Sequence, residues 1–531
     1  MQSSTIVQRI WTIVERLEQV TTDQHYDAII VGGGHNGLVC AHYLAKAGKR
    51  VLVIERQDFV GGAVTTEELW PGFSFPTYSY VCYVLQPQVI DDMRLRDYGF
   101  QVHQMDPTYF LPFPDGRRIL SWRDENAFAR EIAQFSERDA AALPRFQEIE
   151  RRMASLVHRW IMKPAPSYEQ MLDDARQTGD EALLERMFTG SLAGLLEEHF
   201  ESPEVQGFFA MAWDAGDPDA PGSLLSSVFP MISIFTRPED YGIVTGGMGT
   251  ITQAMAASVM ADGVEIRTAS EVKEILLDDS GAAGVRLVDG QEIRADMVIS
   301  NADPKRTFLS LVPDGSLPSA FVDQVKNLKT QAAYLKFHAA LTDLPDFTRY
   351  FGDDYDPRYL AYTNIRPSLD AARKCWADAM SGQVTDSPLL SIQIPSVLDE
   401  TLVPNGGHVM SIWVQYAPVD PANGTWDELR ESTGEALIDI MQEYAPNIRE
   451  VIRDWTLFTP RDIEQRVGLT DGNIRHIDMI AGQVFDQRPL PGYADYSTPI
   501  DRFYLCGAGT HGGGEVTGAP GHNAAKAILQ R

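Results

Sequence analysis

A glycine pattern near the start of the chain constrains the fold more than any other feature. Gly32, Gly34 and Gly37 form a GxGxxG motif between an apolar run, AIIV, and a helical pattern that leads to a second apolar run, KRVLVIE. Glycine lets the backbone approach a pyrophosphate closely, and the following helix directs its partly positive N-terminus at the phosphates. Glu55 ends the second apolar run, where its carboxylate can accept hydrogen bonds from ribose hydroxyls. Residues 27–55 therefore predict a βαβ unit that binds a dinucleotide.

The choice between FAD and NAD depends on the segment that follows this acid. The run ERQDFVGGAVTTEE carries a glycine pair at positions 61 and 62. This pair resembles the second fingerprint of glutathione-reductase-type FAD proteins, in which arginine usually stands where this chain has alanine. The segment predicts FAD with one contact missing. The cofactor-binding residues that we predict around the two motifs are Gly32, Gly34, His35, Asn36, Gly37, Glu55, Arg56, Gly61, Gly62 and Ala63.

A second glycine-rich segment lies at the other end of the chain. The run FYLCGAGTHGGGEVTGAPGHNAAKAIL, residues 503–529, places a glycine turn after a strand and begins a helix near Pro520. A helix N-terminus at this point can face the pyrimidine edge of a flavin, where the reduced ring carries negative charge. The cofactor contacts predicted here are Gly507, Thr510, Gly518 and Ala519.

Charge and cysteine usage exclude several functions. The chain has 45 basic and 74 acidic side chains, and its net charge of −29 repels nucleic acid, so we expect no nucleic-acid partner. The four cysteines, at positions 40, 82, 375 and 506, never form the CxxC spacing of a dithiol redox centre or zinc knuckle. The histidines show no metal-binding spacing either. We expect no metal site and a reducing, cytoplasmic location.

The first 24 residues are predicted to form an amphipathic helix. Ile6, Ile10, Val14 and Leu17 repeat at helical spacing, with charged residues between them. Such a helix can dock on its own domain or on a second copy of the chain, which would make a homo-oligomer; peripheral membrane contact is the alternative. A transmembrane helix is not expected, because no stretch of about 18 apolar residues occurs.

The remaining patterns predict two interleaved domains. Strand patterns occupy 264–267, 271–277, 284–288, 332–341, 389–395 and 408–417, whereas residues 125–215 have a helical pattern. The fold class is therefore α/β, with a glutathione-reductase-type FAD-binding Rossmann domain interleaved with an α+β substrate domain. The FAD-binding domain would comprise residues 25–90, 240–330 and 480–531, and the substrate domain residues 91–239 and 331–479.

Three segments resemble the phytoene desaturase and carotenoid oxidoreductase family. They are VGGGHNGLVCAHYLAKAG, the run from TGGMGTITQ to ISNADP, and CGAGTHGGGEVTG. The motifs GHNGL and GAGTHGGG most resemble its β-carotene ketolase branch. The resemblance implies backbone contacts from Val272 to the adenine and a position for Asn301 near the cofactor. It also implies that Tyr78 and Ser79 approach the isoalloxazine, although core packing beside a turn explains both equally well.

The resemblance implies FAD-dependent dehydrogenation or desaturation of a neutral, polyene-like or isoprenoid-like small molecule. His511, in the C-terminal glycine turn, is the candidate catalytic residue, with a structural hydrogen bond as its alternative. An amine-oxidase-type reaction stays open, because the cofactor domain can be shared while the substrate domain diverges. An FAD-binding interaction protein with little turnover is a third hypothesis.

Overall fold

The structure is a computed structural model that describes residues 25–211 and 213–531, without the side chain of Trp213. The amphipathic helix predicted over residues 1–24 lies outside the described residues. No helix in the described ranges is long and apolar enough to cross a membrane.

The described strands form two large sheets and two small ribbons. In chain order they are β1 Tyr26–Val31, β2 Val51–Ile54, β3 Thr66–Trp70, β4 Phe73–Pro76, β5 Val102–Gln104, β6 Phe110–Pro112, β7 Arg118–Leu120, β8 Gly242–Val244, β9 Glu265–Arg267, β10 Val272–Asp278, β11 Gly281–Leu287, β12 Glu292–Ser300, β13 Ala333–Leu341, β14 Tyr362–Ile365, β15 Leu389–Gln393, β16 His408–Ala417, β17 Ile452–Phe458 and β18 Phe503–Leu505.

The helices of the described ranges cover both sheets and fill the segment between β7 and β8. They are α1 His35–Lys46, α2 Pro87–Asp92, α3 Glu125–Ala133, α4 Glu137–Ile161, α5 Tyr168–Thr178, α6 Glu181–Thr189, α7 Leu192–His199, α8 Pro203–Phe209, α9 Ser223–Met231, α10 Gly249–Ala261, α11 Pro304–Arg306, α12 Ser319–Lys326, α13 Thr348–Phe351, α14 Leu369–Met380, α15 Trp426–Tyr444, α16 Ile448–Val451, α17 Pro460–Val467 and α18 Ala519–Leu529.

The first sheet is the predicted dinucleotide-binding sheet. Its strand order is β10-β11-β12-β1-β2-β9, and β18 also pairs with β12. The β9, β2, β1, β12 and β18 pairings are parallel, and β10 and β11 extend the sheet as an antiparallel hairpin. Strand β2 is fully buried and β1 nearly so, because helices α1, α10 and α18 pack together over this sheet. The βαβ unit predicted over residues 27–55 is confirmed.

The second sheet is mostly antiparallel, as the strand patterns predict. Its order is β17-β13-β16-β15-β14-β6-β7, and the β14–β6 pair is parallel. Helix α15 packs Leu437, Ile438 and Met441 against one face, in a cluster with Phe337 of β13. The other face is free to line a cavity.

Neither sheet is built from one continuous stretch of chain. The first takes its strands from residues 26–54, 265–300 and 503–505, and the second from 110–120 and 333–458. The chain therefore passes between the two sheets several times, which brings loops from both to a common region. This arrangement confirms the predicted α/β fold class.

Candidate active site: a cleft joined to an aromatic cavity

The turn between β1 and α1 is shaped by backbone hydrogen bonds to Glu55. The amide of Gly33 donates to Oε2 of Glu55 over 2.8 Å, and the amide of Gln57 donates to Oε1 over 2.9 Å. The carboxylate is buried at the end of β2, beside the glycine turn. The structure therefore places this acid where the motif predicts it, and its contact with a ribose remains a prediction.

The glycines of the motif are required by close approaches. Gly32 has a φ of 101°, in the region that favours glycine, and the side-chain amide of Asn301 donates to its carbonyl over 3.3 Å. A Cβ at position 34 would lie 2.8 Å from Nδ2 of Asn301, and one at position 37 would collide with the carbonyl of Gly32. Asn301 reaches this turn because it follows β12, the parallel neighbour of β1.

One cleft collects most of the predicted cofactor residues. Eleven of them line it, at the carboxyl ends of β1, β2 and β12: Gly32, Gly34, His35, Asn36, Glu55, Arg56, Gly61, Gly62, Ala63, Val272 and Asn301. A cleft in this position is where parallel α/β sheets bind dinucleotides. Gly37 lies behind it, where it allows α1 to pack on the turn.

The C-terminal glycine segment contributes less than the sequence predicts. Ala508 lines the cleft, whereas Gly507, Thr510, Gly518 and Ala519 are not among its lining residues. Gly507 lies under the carbonyl of Asn301, and the hydroxyl of Thr510 donates to the carbonyl of Gly507 over 2.9 Å. Gly518, with a φ of 74°, begins α18 against the side chains of Val39 and Val89. The predicted contact of Gly518 and Ala519 with the cofactor has no support in this geometry.

A buried arginine holds this segment in place. Arg488 is 1% exposed, and its guanidinium donates to backbone carbonyls. These include Ala508, over 2.7 Å from Nη2, and Thr510, over 3.2 Å from Nε. Further bonds go to the carbonyls of Arg475, Ile477, Asp478 and Gln483. The arginine therefore ties two loops to the wall of the cleft.

An aromatic cavity adjoins the cleft. Its wall includes Tyr78, Tyr80, Tyr83, Tyr109, Tyr241, Tyr334, Tyr362 and Trp413. Alternating residues of a strand share one face, so Tyr334 and Lys336 of β13 project into it together, as do Tyr362 and Asn364 of β14. The predicted flavin neighbours Tyr78 and Ser79 both line this cavity.

The cleft and the cavity share part of their walls. His35, Ala63 and Ile474 line both. Ser79 is held at this point by its amide, which donates to the carbonyl of Ala63 over 3.2 Å. Burial lowers the pKa of His35 to about 4, so its imidazole is neutral at the boundary.

Several buried polar atoms around this boundary fit a polar cofactor. Nε2 of His35, Oδ1 of Asn36, Oγ of Ser79 and Nδ1 of His476 have no hydrogen-bond partner within the described ranges. Buried polar atoms are normally paired, so an unpaired group here indicates a ligand. His476 lines the cleft with a left-handed φ of 70°, and burial lowers its pKa to about 3. The glycine turn and these atoms together fit a flavin dinucleotide.

Lys336 is a candidate functional residue of the cavity wall that the sequence analysis missed. It is 2% exposed in the middle of β13, and Nζ has no hydrogen-bond partner in the described part of the chain. Burial holds the pKa of this amine well below its usual range. The available signal was a lysine inside a nine-residue strand that, apart from His338, has no other charged or titrating side chain near neutral pH.

Arg475 and Glu515 of the cavity wall form an ion-pair cluster with the buried Asp214. Nη1 of Arg475 donates to Asp214 over 2.6 Å, and Nη2 donates to Glu515 over 2.5 Å. The hydroxyl of Tyr83 also donates to Glu515, and that of Tyr334 donates to Asp214 over 3.0 Å. Each carboxylate is therefore paired and hydrogen-bonded.

His511 lies apart from both cavities. Its Nε2 is 3.0 Å from the carbonyl of Trp160, and burial lowers its pKa to about 4. It is not among the residues that line the cleft or the aromatic cavity. The geometry supports the structural hydrogen bond and gives the catalytic alternative no contact with either space.

The four cysteines are not among the residues that line the cleft or the aromatic cavity. All four cysteines are free and buried. Cys40 and Cys506, which are remote in sequence, are brought side by side, and burial raises the pKa of Cys506. Sequence spacing could not show this contact. In the two described ranges, no group of three or more His, Cys, Asp or Glu side chains could hold a metal ion.

Known proteins similar to this chain match it over nearly the whole length. The pyridine nucleotide-disulfide oxidoreductase domain-containing protein 2 of Mus musculus is 34% identical, over 95% of this chain and 93% of its own. A limonene dehydrogenase component of Castellaniella defragrans is 26% identical, over 95% and 94%. A phytoene desaturase (neurosporene-forming) of Cereibacter sphaeroides is also 26% identical, over 93% and 92%.

A solved structure and a family match agree with these relatives. Cyclohexylamine oxidase from Brevibacterium oxydans IH-35A has a TM-score of 0.59 at 14% identity, over 96% of this chain and 100% of its own. Residues 37–341 match the family described as flavin containing amine oxidoreductase. With the glycine turn, the cleft and the adjoining cavity, these matches show that the chain belongs to the flavin-containing amine oxidoreductase family.

Proposed function

We propose that this chain is an FAD-dependent oxidoreductase that dehydrogenates or desaturates a largely apolar, polyene-like or isoprenoid-like small molecule. The observation that carries the proposal is the wall shared by the glycine-lined cleft and the aromatic cavity, at His35, Ala63 and Ile474. A dinucleotide in the cleft and a substrate in the cavity would meet there. The names of two relatives, a limonene dehydrogenase component and a phytoene desaturase, support an apolar substrate.

The residues of the cleft would hold the cofactor by its polar parts. The glycine turn and the N-terminus of α1 suit the pyrophosphate, and Glu55 suits the adenosine ribose. FAD, when bound, supplies a hydride acceptor. The aromatic wall would bind the substrate and exclude water from it.

Lys336 is the residue best placed to take the proton. Desaturation removes one hydrogen from each of two bonded carbons and forms a double bond between them. One hydrogen would leave as a hydride, for which FAD is the acceptor, and the other would leave as a proton. A neutral amine at Nζ of Lys336, facing the cavity, can accept that proton. The electrons of the C–H bond that loses its proton then remain in the new double bond.

Burial lowers the pKa of Lys336 and the contact with Tyr80 raises it, and burial is the larger of the two effects. Nζ lies 3.9 Å from the ring centroid of Tyr80, a cation–π position that favours the charged form. Such a contact is worth about 0.5–2 kcal/mol. Burying an unpaired ammonium costs several kcal/mol. The balance favours the neutral amine, which is the form that can accept a proton.

The test is an anaerobic spectrum of the purified FAD-loaded protein, titrated with isoprenoid hydrocarbons, polyenes and amines. Bleaching of the oxidised flavin band by an apolar hydrocarbon or polyene is the expected result. Bleaching by amines alone would replace this proposal with amine oxidation. Stoichiometric FAD that none of the three classes reduces would favour the interaction-protein hypothesis.

A further inference from the structure

The aromatic cavity contains a further buried basic residue, Arg366, besides Lys336 and Arg475. It follows strand β14, and its side chain lies on the same face as those of Tyr362 and Asn364, because alternate residues of an extended chain share a face. All three line the cavity. Arg366 is only 4% exposed, which is rare for an arginine without an acidic partner.

The guanidinium is incompletely paired. Nη2 donates to Oδ1 of Asn364 over 2.7 Å and to Oγ of Ser391 over 2.9 Å. Nε has no hydrogen-bond partner within the described ranges. Of the ion pairs within 4.0 Å in those ranges, none involves Arg366. Glu515 of the cavity wall and the buried Asp214 are both bound by Arg475.

The groups around Arg366 are neutral hydrogen-bonding groups. Tyr109 and Tyr362 pack edge to face, with ring centroids 5.6 Å apart, and both line the cavity. Burial raises the pKa of Tyr109 to about 12, so its hydroxyl keeps its proton. A buried arginine surrounded by uncharged donors is suited to an anion that enters from outside.

We propose that Arg366 binds a carboxylate at one end of an otherwise apolar substrate. A single guanidinium matches one negative charge, and its planar fork matches the two oxygens of a carboxylate. This inference rests on the proposed function for the place where the apolar chain reacts. It replaces the neutral substrate predicted from the sequence with an amphiphilic acid.

The sheet separates the backbone of β13, which carries Lys336, from that of β14, which Arg366 follows. Lys336 pairs in register with Trp413, Trp413 with Ser391, and Ser391 with Asn364. Three strand spacings of about 4.8 Å separate the row's two ends by roughly 14 Å.

The Lys336 end of this row is the one that faces the cofactor cleft. Phe458 of β17 pairs with Lys336 and packs with Tyr78 in a cluster that includes Ala63 and Ile474, two residues of the shared wall. The acid group would therefore stay far from the cofactor while the apolar chain reaches it.

The test is equilibrium binding to the oxidised, FAD-saturated protein, followed by the change in flavin absorbance. The probes are two matched pairs, farnesoic acid with farnesol and hexadecanoic acid with hexadecan-1-ol. In at least one pair, the acid should bind about 10-fold or more tightly than the alcohol. Equal binding of acid and alcohol in both pairs would overturn the proposal.

Variants of Arg366 test whether this residue causes the preference for the acid over the alcohol. Arg366→Gln should bind the alcohol normally and lose the preference for the acid, and a retained preference would contradict the proposal. Arg358→Gln is the matched control, since that arginine is exposed and paired with Asp356. If Arg366→Gln does not fold, Arg366→Lys replaces it: a point charge without the fork should lower the preference, and an unchanged preference would contradict the assignment.

The two proposals fail differently. Reduction by apolar compounds without any preference for acids removes this inference and leaves the proposed function. A preference for acids in a protein whose flavin no probe reduces removes the proposed function and leaves a carboxylate-binding site.

Discussion

The cofactor cleft and the aromatic cavity are built by different means. In the cleft, glycine backbone makes part of the surface, and Glu55 is held by the amides of Gly33 and Gln57. In the cavity, side chains make the surface, and those from strands β13, β14 and β16 are placed by the register of the sheet. A cleft made of backbone tolerates no added side chain, whereas a cavity made of side chains can change its chemistry without losing the cofactor.

The largest effect should come from adding a side chain to the cleft. Gly34→Val places branched carbons against Nδ2 of Asn301 and in the space for the pyrophosphate, so the purified protein should contain no flavin. Glu55→Ala should weaken FAD binding less. The measurement is the ratio of flavin to protein absorbance. Gly48→Ala, where a Cβ would meet nothing within 4 Å, is the control that should keep FAD, and the φ of 84° at this position should lower only its stability. Wild-type flavin content in both cleft variants would contradict the claim that the glycine turn and Glu55 hold FAD.

The next largest effect should be a loss of stability when Arg488, which holds the wall of the cleft, is replaced. Arg488→Met removes the guanidinium that ties the Ala508 and Thr510 carbonyls to the neighbouring loop and leaves those buried acceptors unpaired. We expect the free energy of unfolding to fall by about 3–5 kcal/mol. Urea denaturation measures it. Arg138→Met, at an exposed ion pair, should change stability little. A similarly small change for Arg488→Met would show that the fold does not depend on the hydrogen bonds of Arg488.

In the cavity, Lys336→Met should separate chemistry from cofactor binding. We expect anaerobic flavin reduction to slow by about 100-fold or more at unchanged FAD content. Stopped-flow absorbance measures the rate, with the exposed Lys374→Met as control. Because the neutral amine is the active form, wild-type reduction should slow as pH falls below the lowered pKa of Lys336. Normal reduction in the methionine variant would remove Lys336 from the mechanism.

The same variant should stabilise the fold. The pKa of Lys336 lies well below its unfolded value, so the unfolded chain binds a proton that the native state does not. Stability is therefore lost as pH falls from about 10.5 towards the lowered pKa, and this loss is present at neutral pH. Lys336→Met removes it, so the variant's Tm at pH 7 should exceed that of the wild type.

The smallest effect should come from His511. His511→Ala leaves the carbonyl of Trp160 without its partner and should cost about 1–3 kcal/mol, with normal flavin reduction per bound FAD. Its folded pKa of about 4 lies below the unfolded value, so the stability it contributes is lost as pH falls from about 6.5 to 4. Urea denaturation should therefore show a larger difference at pH 7 than at pH 4.5. A reduction rate that drops 100-fold at full FAD content would restore the catalytic hypothesis.

The sequence predicts the cleft better than the cavity for a physical reason. A turn that binds a pyrophosphate needs glycines at fixed spacing within one βαβ unit, so Gly32, Gly34 and Glu55 are visible as a motif. Lys336 and Arg366 come together with their neighbours only through pairing of strands that are far apart in the chain.

The C-terminal glycines show a limit of prediction from the sequence. Gly518 has a left-handed φ where α18 begins, and its backbone lies against Val39 and Val89. A sequence shows that a glycine is present without showing which neighbour requires it. The contact of Gly518 and Ala519 with the cofactor stays a prediction. The contact between Cys40 and Cys506 could not be predicted, because the fold brings remote positions together.

The most direct test of the account is a crystal structure of the purified protein saturated with FAD. We expect the pyrophosphate at the turn of Gly32 and Gly34, and the isoalloxazine at the wall formed by His35, Ala63 and Ile474, with one face open to the aromatic cavity. An isoalloxazine that lies away from this wall, or a cleft that binds no FAD, would contradict the central claim that the two spaces form one active site.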